Sequence, residues 1–276
     1  MPKIKFSLLS IIGGLTLLSS SAYAGVDAEV SYILNTLLFL IGGFLVMWMA
    51  AGFAMLESGL VTSKSVATIA AKNIGLYSIA GLVFWLVGYN LAYGIPEGGF
   101  IGSFIPWSDA SSVDTGYSDG SDWFFQMVFC ATTCSIVSGT LAERIKIWPF
   151  FLFCAILAGV IYPIEMGWQW GGGHLAAAGF SDFAGSTLVH SAGAAAALAG
   201  AILLGPRLGR FTDSGEAAPM APFASSSIPL ATLGVFILWM GWFGFNGGSQ
   251  LAMGSFDDST AVATIFINTN LAACAG

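Results

Sequence analysis

Charge is what this sequence has least of. Only 8% of its 276 residues are Asp, Glu, Lys or Arg, 15 acidic and 8 basic, where a soluble domain carries about a quarter. So few charges cannot make a water-facing surface for a chain of this size. A soluble globular enzyme and a disordered protein are both excluded. Basic residues are the scarcer sign, and a net charge of −7 excludes the basic patches of a nucleic-acid binder. Four cysteines are too few for a disulfide scaffold. Cys130, Cys134, Cys154 and Cys274 all fall in apolar stretches and read as small packing residues. Two histidines, with no His/Cys/Asp/Glu cluster at ligand spacing, argue against a zinc site. Nothing in the sequence asks for a metal or an organic cofactor.

What is present is apolar: 56% hydrophobic residues and a mean hydropathy of +0.82. The class that remains is an all-α, polytopic transmembrane helical bundle, built from spans of about 20 residues. The 36 glycines suit this class, because small residues let helices approach closely in a bilayer.

Residues 1–24 read as a signal peptide. Lys3 and Lys5 give a positive start, 6–18 is a short apolar run, and Ala22-Tyr23-Ala24 fits the small-x-small cleavage rule. The alternative is a short first transmembrane helix. Cleavage leaves residues 25–276 as one transmembrane domain with its mature N-terminus external, or periplasmic, in a cell (inner) membrane. Seven spans follow, at 31–56, 73–95, 123–142, 147–165, 183–205, 228–248 and 259–276. With the N-terminus outside, Lys64, Lys72, Arg144, Lys146, Arg207 and Arg210 all fall in inner loops, as the positive-inside rule requires. Glu97, Asp109, Asp114, Asp119 and Asp122 fall in the first outer loop, and Asp257 and Asp258 in the last. The final stretch stops within an apolar run, so a fragment of a longer protein is expected, with a bare-ended seven-helix protein as the alternative.

Polar groups inside a bilayer are costly and are functional candidates by default. Asp182 stands where the fifth span is expected to begin. It reads either as an N-cap, accepting from free N–H groups of the first turn, or as an attractor of cations. His190 follows eight residues later, about two turns deep on an ideal helix, and reads as a conduction or proton-handling group. The small residues after it, 191–197, imply tight packing and a histidine that faces the interior. His174, after three glycines, reads as an exposed loop residue. Phe125, Phe129, Trp168, Trp170, Trp242, Phe243 and Phe245 form a second set. They are either interfacial belting or a vestibule whose ring faces attract a small cation, by about 0.5–2 kcal/mol each. The residues themselves leave both options open.

The stretches Gly52-Phe-Ala-Met-Leu-Glu-Ser-Gly-Leu-Val61, Gly139-Thr-Leu-Ala-Glu-Arg144, Trp170-Gly-Gly-Gly173, Asp182 to His190, and Gly241-Trp-Phe-Gly-Phe-Asn-Gly-Gly-Ser249 resemble the ammonium transporter (Amt/Mep/Rh) family, in the family's order and over nearly the whole mature chain. The resemblance implies an eleven-span fold of two inverted five-helix repeats, of which this chain holds the first repeat and the start of the second. It implies a homotrimer, ammonium (with methylammonium as analogue) moving through as ammonia, and a P-II regulatory protein as cytoplasmic partner. By the same resemblance Trp170, Phe129 and Ser249 form the recruitment site, flanked by Phe125. Phe129 and Phe245 are the gate, His190 and Trp242 line the pore, and Asp182 supports the site without touching substrate. The family's second pore histidine belongs to the tenth span and has no counterpart here, so the chain alone is expected not to take up methylammonium.

Three other readings compete. An ammonium sensor on the same fold would show a fused signalling domain. A membrane enzyme using Asp182 and His190 as an acid/base pair would place them about 12 Å apart on an ideal helix, too far for direct proton transfer. A retinal receptor lacks a mid-span lysine. A transporter, not an enzyme, is the first expectation.

Overall fold

A computed structural model describes residues 26–276 except 213, 218 and 220–222. The signal segment expected at 1–24 lies outside the described residues. Those described fold into a helical bundle whose long helices are α1 (Ala28–Leu60), α2 (Ser63–Tyr93), α3 (Asp119–Leu141), α4 (Ile147–Gly167), α5 (His190–Leu204), α6 (Ile228–Gly248) and α7 (Phe256–Ala275). Five of these, α1, α2, α3, α4 and α6, are long and apolar enough to cross a membrane. Helix α5 has only 15 residues, and α7 carries Asp257, Asp258, Asn268 and Asn270. The outer faces are greasy, with Ile74, Trp148, Leu152, Ile202 and Phe236 exposed, as helices facing hydrocarbon require.

Helix α3 is the axis of the bundle. Of its most apolar stretch 78% is buried, against 28–39% for the other four spans. Phe125, Phe129, Cys130, Cys134 and Val137 on α3 pack with Phe39, Phe84, Phe150, Tyr162 and Phe245 from its neighbours. Cys274 differs from the other three cysteines in being exposed on α7, so the packing role expected for all four holds only for Cys130, Cys134 and Cys154. Helices α1 and α6 meet backbone to backbone. A Cβ on Gly244 would lie 2.5 Å from the Gly42 carbonyl, and one on Gly234 would lie 2.6 Å from the Leu56 nitrogen. Helices α2 and α4 each contain a π turn, Phe84–Gly88 and Leu157–Ile161, and the two turns lie against each other. Such turns displace carbonyls from the helical ladder, and the Ala158 carbonyl there accepts from the Cys130 thiol at 3.3 Å.

The sixth span agrees with expectation to the residue. Ser227 accepts from the Leu230 N–H and Pro229 stands in the first turn, the combination that starts a helix. Two spans need correction. The second helix begins at Ser63, ten residues before the expected start at 73. Lys72 therefore sits within α2, not in a loop. It is buried, paired with Glu57 at 3.1 Å, and donates to the Ser138 carbonyl at 2.7 Å. The fifth helix begins at His190, not at 183.

One end of the bundle is tied together by Glu143. Its backbone has φ +62°, a conformation side-chain-bearing residues rarely adopt. Its carboxylate accepts from the Thr62 backbone N–H at 3.0 Å and the Thr62 hydroxyl, and pairs with Arg207 at 2.6 Å. Burial would lift its pKa, but the hydrogen bonds from Thr62, Arg207 and Ser65 hold it at about 2. The α1–α2, α3–α4 and α5–α6 connections thus converge on one side chain.

Candidate functional site

At the opposite end, α1, α2, α3 and the segments after α4 and α6 enclose a cavity of ≈ 240 Å³. Phe125, Phe129, Trp170 and Ser249 all line it. The spacing of Phe125 and Phe129 explains their pairing, since residues four apart share a helix face; their ring centroids are 4.7 Å apart. Trp170 meets Phe129 edge-on at 5.8 Å. Its indole N–H donates to the Asp182 carbonyl at 2.7 Å, which fixes the ring's direction. The Ser249 hydroxyl donates to the Phe245 carbonyl at 2.7 Å. Its proton is therefore committed to the helix, and its lone pairs are left to accept from a ligand.

Beneath the cavity, Phe129 lies on Phe245 with centroids 4.1 Å apart, and both rings are buried. Phe245 in turn lines a second space, a largely apolar groove of ≈ 540 Å³ that holds His190 and Trp242. The His190 ring lies 5.9 Å from Phe245. Two aromatic rings in contact thus separate the cavity from the groove. On this chain the groove is open: His190 and Trp242 are exposed, not enclosed as the run of small residues after His190 suggested.

Asp182 lines neither space. Its Oδ1 accepts from the N–H groups of Gly185 and Ser186 at 2.8 and 3.1 Å, and its Oδ2 from those of Thr187 and Leu188, both at 2.8 Å. This is capping chemistry, but it caps a folded turn, not a helix. Gly185 has φ +90°, which breaks the helix expected from 183 and delays it to His190. The ideal-helix placement of His190 two turns below Asp182 is corrected accordingly. The same turn presents the Gly185 carbonyl to His190 Nδ1 at 3.0 Å. A carbonyl only accepts, so Nδ1 carries the hydrogen and the neutral ring offers Nε2 as an acceptor.

His174 is not an exposed loop residue. It opens a single helical turn, His174–Ala177, and stacks on Phe100 at 4.3 Å with Trp168 edge-on at 4.9 Å. No metal-competent group of His, Cys, Asp or Glu occurs among the described residues.

The cavity contains side chains that sequence reasoning passed over. Asp122, expected in an outer loop, lies in the first turn of α3, buried at 5% exposure. Tyr89 of α2 donates to its Oδ2 at 2.6 Å, and Gln126 Nε2 donates to its Oδ1 at 3.2 Å. Asp122, Phe125, Gln126 and Phe129 follow the three- and four-residue spacing of one helix face, and that spacing was the signal that could have found Asp122. Leu251, with φ +61°, also lines the cavity.

The family model described as the Ammonium Transporter Family matches residues 37–276. A putative ammonium transporter of Synechocystis is 42% identical over 254 residues, covering 90% of this chain and 56% of that protein. Ammonium transporter Amt2 of Archaeoglobus fulgidus is 43% identical over 247 residues, covering 86% and 51%. Among solved structures, one described as a sensor Amt protein superimposes with a TM-score of 0.81 at 35% identity, over 90% of this chain and 61% of that one. Candida albicans Mep2 does so at 0.69 and 26%, over 83% and 51%. The chain spans about half the length of the curated relatives it matches.

Proposed function

The chain belongs to the ammonium transporter family, and from that premise we propose that it recruits ammonium from the outer side, that the ion gives up its proton to water on that side at an aromatic barrier, and that ammonia passes on toward His190. The observation that carries this reading is the contact of Phe129 with Phe245 between two spaces of different chemistry. The space above has ring faces and the Ser249 acceptor; the space below is largely apolar. Ring faces hold a small cation by about 0.5–2 kcal/mol, more when water is excluded. An unpaired charge in a medium of hydrocarbon polarity costs many times more. Ammonium therefore stops above the rings, while neutral ammonia can go on.

In this reading Trp170 and Phe129 supply cation-π contact, Ser249 accepts a hydrogen bond, and Phe125 flanks the site. Phe129 and Phe245 form the gate, and Trp242 walls the path below. His190 Nε2 accepts an N–H from ammonia. Asp182 acts on backbone alone, holding the turn that aims Trp170 and His190. Potassium, similar in radius to ammonium, has no N–H to give Ser249 and no proton to lose. We also place the protein in the inner membrane with its mature N-terminus periplasmic after removal of 1–24. A homotrimer and a P-II partner on the Glu143 end complete the proposal.

Calorimetric titration of ammonium chloride into the 276-residue chain in lipid nanodiscs tests recruitment. Trp170→Leu and Ser249→Ala should each weaken binding; affinities equal to wild type in both would overturn it. A sensor role is the second reading, favoured by the superposition on the sensor Amt structure. It requires a signalling domain in the same reading frame, which sequencing of the full gene decides.

A further inference from the structure

The connection between α2 and α3 presents apolar side chains where a water-facing loop would present polar ones. Residues 98–108 carry no charge, with Glu97 and Asp109 on either side. Within that run Phe100, Ile101, Phe104 and Ile105 are 54–63% exposed. The stretch forms no helix of its own, yet its backbone is anchored, because it turns back along α2. The Gly102 N–H donates to the Leu91 carbonyl at 3.2 Å, the Ser103 N–H to the Asn90 carbonyl at 2.9 Å, and the Trp107 N–H to the Trp85 carbonyl at 2.9 Å. The π turn favours the last of these. The Tyr89 N–H, which an α-helix would give to Trp85, goes to the Phe84 carbonyl instead. Asn90 Nδ2 donates to the Ile105 and Pro106 carbonyls at 3.2 and 3.1 Å, and the Trp168 indole N–H to the Phe100 carbonyl at 2.9 Å. Close approach requires glycine at 102, where a Cβ would stand 2.4 Å from both the Asn90 and the Leu91 carbonyl oxygens.

This register sets a depth. Trp85 lies eight residues before the end of α2 at Tyr93, roughly 12 Å down its axis. From Ile74 to Tyr93 the helix has no charged residue, a length of about 30 Å that matches the hydrocarbon core. The segment therefore runs from the membrane boundary into the margin of one leaflet. Irregular backbone is tolerated at that level only where protein takes up its polar groups, as α2, Asn90 and Trp168 do here. Trp85 and Trp107 suit the same level, since tryptophan concentrates at the membrane–water interface. Below the segment, Leu82, Trp85 and Leu86 continue the exposed apolar surface along α2.

We propose that residues 100–107 form an interfacial segment resting in the leaflet at the cavity end, with Phe100, Ile101, Phe104 and Ile105 among lipid acyl chains. The segment is also tied to the loop that carries Trp170. The Gly98 N–H donates to the Gly172 carbonyl at 2.9 Å, the His174 N–H to the Gly99 carbonyl at 3.0 Å, and Phe100 stacks on His174. Lipid contact thus steadies the mouth of the cavity, whatever the cavity binds.

The test is spin labelling of the 276-residue chain in lipid nanodiscs, with Cys274→Ser as background because Cys130, Cys134 and Cys154 are buried. A nitroxide is placed at Phe104→Cys, at Leu82→Cys as lipid reference and at Ala110→Cys as water reference, and melting curves check folding. Collision with oxygen relative to a water-soluble nickel chelate should be several times higher at 104 than at 110 and close to the value at 82. Adding Gly102→Ala should push the segment off α2 and lower the ratio at 104. Free access of nickel at 104 overturns the proposal. So does a label shielded from both reagents, which would mean cover by a second copy of the chain. Wild type gives an independent readout. Lipids with a photoactivated diazirine in the acyl chain should mark 100–107, and marking of 82–86 with none on 100–107 overturns the proposal even if the labelled variants fail to fold.

Discussion

Replacing Asp182 by Asn removes half of the acceptor capacity that holds the turn from 182 to 189. The carboxylate accepts four backbone N–H groups, two on each oxygen. An amide keeps one oxygen and turns an NH₂ group toward the other two donors. Hydrogen bonds to charged groups contribute about 1.5–3 kcal/mol each, so losing two costs roughly 3–6 kcal/mol of local stability. That is a large share of the 5–15 kcal/mol typical of a whole domain, and it falls on one segment. The consequence is local opening, not global unfolding. Amide hydrogen exchange read by mass spectrometry on the nanodisc-embedded chain should show residues 183–190 losing protection by about a hundredfold or more, while α3 stays protected. Trp170 and His190 are both tied to this turn, so ammonium binding should fall as well. If Asp182 instead met the cation directly, binding would fall with exchange at 183–190 unchanged, and that result would refute the reasoning.

Other perturbations are as specific. The Glu143 carboxyl, with a pKa lowered to about 2, contributes stability that is complete above the usual glutamate value of about 4.3. That stability drains away as pH falls toward 2. The melting-temperature difference between wild type and Glu143→Gln should shrink across that window and stay constant at higher pH. Lys72→Met should destabilise the chain by about 3–5 kcal/mol because it strands the buried Glu57 charge. Lys72→Met with Glu57→Leu should recover most of that in a double-mutant cycle, and additive losses would count against a coupled pair. Gly244→Ala drives a methyl toward the Gly42 carbonyl and should cost about 1–3 kcal/mol, read as a lower melting temperature in detergent.

The helical membrane class and most span limits were legible because composition and long apolar runs have few alternative explanations. The family was legible from five stretches in order. What escaped has particular causes. Lys72 looks like a loop charge, and only the fold shows Glu57 neutralising it inside α2. Asp182 has the chemistry of a helix cap, but its four N–H partners belong to a turn broken at Gly185, so the helix begins seven residues later than expected. Asp122 was counted with the outer acids. Its helical spacing to Phe125 and Phe129 was present in the sequence, but the hydroxyl that holds it comes from Tyr89, 33 positions away. Long-range partners of that kind leave no local trace.

The glycine contact between α1 and α6 sets a schedule for biosynthesis. The two helices meet through backbone, yet α1 ends at residue 60 and α6 at residue 248. At about 5–20 residues per second, the ribosome needs roughly 10–40 s to deliver the second after the first. Through that interval α1 waits in the lipid with its glycine face unmatched. Helix α3, complete at residue 141, reaches α1 first through the stacked rings of Phe125 and Phe39, so the glycine face of α1 closes only after its aromatic face has.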